Sequence, residues 1–431
     1  MSTITTASAE WFKRPADERF TSLTALADHT RHLRHTSRAT VVSNRAVTVA
    51  PGRWRKPGDA VTAAIPPMND ATAYVPSYPV STGAPVDDAL ALIRAAAGAT
   101  KAQAENAAFT TDETASGLAL VSKAGHAYRP SHHAFSQLSA LAGTPAGYLR
   151  PLPAAMAADC LNYGLHHARD VEEIGLLLQR NGDSTLRAAT GPNYGRIWDD
   201  EIVATLTDLY GDGVTGRFRV PGEFGQRVPV TKENTTLYAG DRDMFVFLTD
   251  EENRIEIPNR RDGQSGSLAR GFLVYNSEVG SRSFGIETFL FDYACRNRIV
   301  WGAANHQTFR MRHTSGAPDR WLEQLQPALR SYADATTEGV TDLIAAARVK
   351  RIAQTEGGDT NAEAVNNFLL RRFTKAQASG ISAAHMLEEG RPIETLWDAS
   401  VGATAYAKGI EWQNERVDIE RKGGELLELA R

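Results

Sequence analysis

Arginine recurs through nearly every strand-like run between Arg217 and Arg312. Of the residue types in this chain, it is the one whose pattern most suggests chemistry. Its guanidinium is planar, permanently charged and shaped to fit a phosphate. The candidate contacts are Arg217, Arg219, Arg260, Arg261, Arg270, Arg282, Arg296, Arg298, Arg310 and Arg312. Arg217/Arg219, Arg296/Arg298 and Arg310/Arg312 are spaced i, i+2, so each pair shares one face if its segment is a strand. Aligned across neighbouring strands, such pairs make a basic stripe suited to a polyanion. Internal ion pairs compete for the same groups, because fourteen Lys/Arg face twelve Asp/Glu from Arg217 to Arg312. The aromatics among them, Phe245, Phe247, Phe272, Tyr275, Phe284 and Tyr293, suit a core better than a base-stacking platform.

A second chemistry would use carboxylates. Glu278 or Asp292, combined with arginine clamps, would give an enzyme acting on a phosphorylated small molecule or nucleic acid. That requires the acids to converge. Other motifs are weaker. Gly211-Asp-Gly-Val-Thr-Gly216 matches the dinucleotide fingerprint as a string, but it follows a helical pattern and precedes a strand-like one. That order is reversed, so a turn is expected. Phe135–Arg150 has helix-turn-helix spacing, yet Pro151 and Pro153 close its second helix and only Arg150 in it is basic. A helical hairpin is expected there rather than a groove-reading helix. His29, His32 and His35, with the pairs His132-His133 and His166-His167, lack the carboxylates or cysteines that would complete a metal site. No metal and no cofactor is expected.

These groups must be positioned by a substantial fold. The chain has 431 residues, 42% hydrophobic and 23% charged, with net charge -4. That is long enough for more than one structural unit and excludes a wholly basic binder, so any nucleic-acid site must be local. Met1–Ala60 carries ten Lys/Arg against five Asp/Glu, which leaves the remainder acidic by nine. Cys160 and Cys295 stand far apart and give no disulfide framework, as suits a reducing cytoplasm. No signal peptide and no membrane-spanning run is expected.

Three regions follow from the patterning. Residues 1–85 read as a basic extension and proline-broken linker, with Thr40–Val49 alternating like a strand. Residues 86–315 read as an α+β core: a helix over Pro85–Phe109, a short β stretch over Leu118–Tyr128 and a helical cluster over Ser131–Arg169. Strands over Ile174–Gln179 and Thr185–Ala189 follow, then a helix over Asp199–Tyr210 and the β-rich middle. Residues 316–431 read as helical, with Pro327 interrupting a long helix and further helices over Asn361–Arg372, Thr374–Glu389, Ile393–Ala407 and Glu411–Ala430. The fold class is α+β, a β-rich centre with arginine-bearing strands flanked by helical regions.

Three ordered stretches resemble a phage- and plasmid-like family, number 932 in the domain-of-unknown-function series. They are Gln137–Pro153 (Gln-Leu-Ser-Ala-Leu-Ala-Gly-Thr-Pro-Ala-Gly-Tyr-Leu-Arg-Pro-Leu-Pro), Gly271–Gly285 with Cys295–Gly302, and Thr395–Asp398 with Gly402–Ala407 and Glu415–Leu427. The resemblance implies a mobile-element origin and a role near replication or recombination. It supplies no catalytic residues. The expected activity is therefore non-enzymatic binding of DNA, single-stranded in replication or recombination, by a cytoplasmic protein that could form a homo-oligomer. The alternatives are the phosphate-handling enzyme and an assembly or scaffold protein.

Overall fold

The computed structural model describes residues 16–54, 74–76, 118–122, 126–168, 172–181, 183–221, 229–261, 264–293, 297–300, 309–334, 338–352, 362–410 and 413–431. The helix expected over Pro85–Phe109 and residues Cys295, Arg296 and Trp301 lie outside them.

The chain begins with β1 (Arg19–Phe20), α1 (Leu23–Thr36), β2 (Ser37–Ser43), β3 (Thr48–Trp54) and β4 (Tyr74–Pro76). Next come β5 (Leu118–Val121), β6 (Ala127–Pro130), α2 (His132–Leu141), α3 (Ala146–Leu149), α4 (Ala154–His167), β7 (Glu173–Asn181) and β8 (Asp183–Thr190). After α5 (Asp199–Tyr210) the β-rich middle holds β9 (Phe218–Arg219), β10 (Leu237–Ala239), β11 (Met244–Arg261) and β12 (Gln264–Asn276). It closes with β13 (Phe284–Asp292), β14 (Asn297–Val300) and β15 (Phe309–Met311). The helical end comprises α6 (Ala317–Asp334), α7 (Glu338–Val349), α8 (Ala362–Leu370), α9 (Lys375–Glu389), α10 (Leu396–Lys408) and α11 (Gln413–Glu428).

Two sheets result, and the class is α+β. One runs β1-β10-β11-β12-β13-β14, with β9 on β11 and β15 on β13. The other runs β2-β7-β8-β6-β5-β3-β4. Alternation along β11 and β12 splits the first sheet's apolar residues between its faces, as a pleated strand requires. Val246, Leu248, Phe272 and Val274 pack with α1, α5 and α6 through Leu26, Leu206 and Trp321. Phe245, Phe247, Leu273 and Tyr275 form the opposite face, which Val417 of α11 joins. Farther along the same strands, Ile255, Ile257 and Leu268 pack against α7 and α10 through Ile344 and Trp397. The second sheet buries Leu176 and Leu186 under α2 and α4.

Local chemistry explains the helix ends. The Ser22 hydroxyl accepts from the Ala25 N–H and starts α1. Thr374 and Gln377 form a capping box at α9, and Thr395 and Asp398 form another at α10.

The expected extension over residues 1–85 differs from what its described part does. β1 pairs with β10, β2 with β7 and β3 with β5, so residues 16–54 contribute to both sheets. The alternating Thr40–Val49 run is divided by a 3-10 turn at Asn44–Ala46; β2 is one edge of the second sheet, and β3 lies next to the other edge strand, β4. The boundary expected near 315 is crossed by packing, since Trp321, Leu325 and Leu329 share a core with Phe284 and Met311. The segment with helix-turn-helix spacing is α2 followed by α3, a single turn too short to read a groove. No helix among the described residues is long and apolar enough to cross a membrane.

Candidate functional site

The arginines whose side chains are described do not form one continuous stripe. Arg217 donates from Nε (3.1 Å) and Nη2 (2.7 Å) to Asp250 Oδ2, and the buried Arg270 lies 3.6 Å from that same oxygen. Arg219 donates to the carbonyls of Gly216 and Thr215. Arg260 is buried, donating to Asp292 at 2.9 and 2.6 Å and to Glu389 at 3.1 Å. Water and polyanions cannot reach charges held this way, so Arg260 and Arg270 serve the fold. The physical reason is strand register, which sets each beside a buried carboxylate. Arg296 and the side chains of Arg261 and Arg298 lie outside the described residues; in the backbone, Arg298 pairs with Phe291.

Arg282, Arg310 and Arg312 behave differently. On β15, Phe309 and Met311 turn towards the α6 core while Arg310 is exposed on the other face. The Arg310 Nε donates to the Tyr275 hydroxyl at 3.4 Å, and that hydroxyl donates to Glu287 Oε1 at 2.8 Å. The Arg282 guanidinium lies 4.7 Å from the centre of the Tyr275 ring and 4.3 Å from that of Phe245. Its Nε and Nη1 are buried and make no hydrogen bond among the described residues. Burial lowers the Arg282 pKa, which the nearby Asp243 opposes. Arg312 follows β15 and is exposed. Arg421 of α11 completes the cluster, gripping Glu287 at 2.8–3.0 Å through Nε and Nη2. A pattern of strand-borne arginines does not include Arg421, because it sits on a helix. The local acid it contacts is Asp418, three residues earlier.

Gly285 makes this convergence possible. A Cβ there would stand 2.3 Å from Cζ and 2.4 Å from the hydroxyl of Tyr275, whose ring crosses β13 over the glycine to meet Arg310. Gly285→Ala is expected to displace the ring at a cost of about 1–3 kcal/mol, the range for overpacking a filled site. Denaturant titration checks this, and an unchanged midpoint would contradict it.

The loop from Ser277 to Ser283, which precedes β13, locks the two sheets together. Glu278 accepts from Arg187 Nη1 at 2.8 Å and from the Asp199 N–H at 3.0 Å, all three residues being buried. Gln137 donates to the Val279 carbonyl and Tyr194 to that of Ser277. Gly280 turns with φ +83° between the Gln137 and Tyr194 side chains. Burial and the Glu278 charge hold the Asp199 carboxyl well above its usual range. Asp292 sits at the far end of β13, on the order of 25 Å along the strand from the end that this loop enters. The two candidate acids therefore do not converge, and each already serves an arginine.

Histidines border this seam. His132 and His313 are each lowered to about 4, by burial first, with the charges of Arg150 for His132 and Arg196 for His313 adding to it. His313 donates from Nδ1 to the Gly195 carbonyl (3.0 Å) and stacks on Tyr194. The sign is definite. Both native values lie below the unfolded value near 6.5, so the unfolded chain takes up protons first as pH falls. Their contribution is complete above about pH 6.5 and is lost as pH falls towards 4. Between these limits the wild-type melting temperature is expected to fall more steeply than that of His132→Gln/His313→Gln. Parallel curves would contradict it.

The remaining motifs do structural work. His166 and His167 bond to the Val47 and Tyr163 carbonyls. Gly211 caps α5, and Asp212 accepts from the Val214 and Thr215 N–H groups, which makes the glycine-rich string a turn. Among the described residues, no group of three His, Cys, Asp or Glu side chains could hold a metal ion.

The fold and site together define an α+β protein of two sheets with an arginine-tyrosine cluster at the β13–β15 edge. Comparison with known proteins found no matching family model, no matching curated protein and no matching solved structure.

Proposed function

We propose that the protein binds nucleic acid, in single-stranded form, through Arg282, Arg310 and Arg312. The observation that carries this reading is the placement of Arg310, exposed on β15 with its Nε on the Tyr275 hydroxyl, close to the Arg282 guanidinium over the Tyr275 ring and followed by the exposed Arg312. A guanidinium–phosphate contact is charge-assisted and geometrically selective. Arg310 on β15, Arg312 just after it and Arg282 from the loop before β13 match two or three successive phosphates of a flexible chain. A duplex would need a wider basic surface. The footprint is much narrower than ten arginines, because Asp250, Asp292 and Glu389 already neutralise others.

No catalytic step belongs to this reading, since Glu278 and Asp292 are held apart in ion pairs. The likeness to the phage- and plasmid-like family would make the biological setting replication or recombination of a mobile element, in the cytoplasm. Self-association along a strand of nucleic acid is compatible with it. Equilibrium binding of a labelled oligothymidine and of a duplex of equal length tests the proposal. Tighter binding of the single strand is expected, and absence of binding to both would contradict it.

A further inference from the structure

A cleft of about 610 Å³ opens between the end of α5 and the C-terminal half of α6, and the arginine cluster does not use it. Asp208, Leu209 and Tyr210 of α5 line it, together with Arg330 of α6. Phe218 of β9 and the preceding Arg217 also border it. The Tyr210 hydroxyl donates to the Leu329 carbonyl at 3.2 Å, which holds the end of α5 beside α6.

Two charges of opposite sign share this cleft without meeting. Among the described residues, neither the Asp208 nor the Arg330 side chain makes a hydrogen bond or an ion pair, with the other or with any third group. Both are exposed. Arg217 differs, because Asp250 holds it through Nε and Nη2. Asp208 also stands in the last turn of α5, where the carbonyl end of a helix disfavours a carboxylate and favours a cation. Among the described residues, no basic side chain answers that placement.

The rest of the lining is apolar. Phe218 is buried, its ring centre 4.8 Å from that of Tyr210, and Leu209 packs against the same core. The two charges then decide between classes of ligand. An anion at Arg330 would meet the field of the Asp208 carboxylate, and a cation at Asp208 would meet that of Arg330. A molecule that carries both charges answers both side chains at once.

We infer that this cleft binds a small zwitterion of the α-amino acid class. Its ammonium lies at Asp208 and the carbonyl end of α5, its carboxylate at Arg330, and its apolar side chain against Tyr210 and Phe218. A guanidinium fork fits a carboxylate in paired fashion. A cleft of 610 Å³ is within the size range of small-molecule sites. This site is independent of the nucleic-acid reading, because α5, α6 and β9 carry none of Arg282, Arg310 and Arg312.

The test is calorimetric titration of the full-length protein with L-phenylalanine, and separately with phenylpropionate and phenethylamine, at constant ionic strength. Saturable binding of phenylalanine is expected. Each singly charged analogue should bind about two- to five-fold more weakly, the scale of an exposed ion pair. Asp208→Asn should bind phenylalanine and phenylpropionate equally, and Arg330→Gln should bind phenylalanine and phenethylamine equally. Both side chains are exposed, so both variants should fold as the wild type does. No saturable binding of phenylalanine would overturn the inference. Equal affinity of the wild type for all three compounds would overturn it too, as would wild-type discrimination retained in both variants.

Discussion

Glu278→Ala is expected to lower unfolding stability by about 3–5 kcal/mol, the range for removing one partner of a buried ion pair. Arg187 is 1% exposed and Glu278 2%. Truncation would leave the Arg187 guanidinium buried against the neutral Ser37 hydroxyl, to which Nη1 donates at 3.2 Å. It would also orphan the Asp199 N–H at the start of α5. Two unrelated segments depend on that one carboxylate, and both belong to the seam between sheets. Replacing both charges, as in Arg187→Met/Glu278→Leu, should cost less than the two single losses added, because no charge is then stranded. Asp199→Asn provides the contrast. Its carboxyl is already driven towards the neutral form by burial and by Glu278, so a neutral amide should be tolerated. Denaturant midpoints of the variants decide the matter. A loss below about 1 kcal/mol in Glu278→Ala would mean that the pair is not the lock between sheets.

Arg310→Glu/Arg312→Glu should weaken binding of single-stranded oligonucleotides at least about ten-fold near 100 mM salt. It should also make the log–log salt slope shallower by about 1.4, or about 0.7 for each phosphate that is no longer neutralised. Arg312 is exposed, so Arg312→Glu should leave stability within about 0.5 kcal/mol of wild type. Arg310→Glu, which loses the contact to the Tyr275 hydroxyl beside Glu287, should cost about 1 kcal/mol. The two effects separate cleanly. A variant that folds normally and binds normally would remove β15 from the interface, and one that unfolds would show that Arg310 supports Tyr275 rather than a ligand. Arg282 is the less suitable first target, since its contacts with Phe245 and Tyr275 make any truncation a packing change too.

Elements whose signals are local were legible in the sequence. The helix over Asp199–Tyr210 has acids in its first turn and Gly211 after its last, and the structure keeps those bounds. Thr374 and Gln377 announce α9, and the strand expected over Ile174–Gln179 lies within β7. Pro327 sits inside α6. α1 was not legible, because charged residues and histidines obscure a buried face made by Leu23, Leu26, Ala27, Thr30 and Leu33. The fate of each arginine was not legible either. Whether Arg270 meets Asp250, or Arg260 meets Asp292 and Glu389, depends on strand register and on a helix more than a hundred residues away. The i, i+2 rule did identify Arg310 and Arg312 as a pair. What it could not supply was Tyr275 crossing over Gly285 to meet Arg310.

The measurement that tests the central claim most directly is the affinity of the wild-type protein for a labelled oligothymidine across a salt series. Three phosphate contacts predict that log affinity falls linearly with log salt, with a slope of about −2. No binding at about 50 mM salt, or an affinity insensitive to salt, would contradict a phosphate site at Arg282, Arg310 and Arg312.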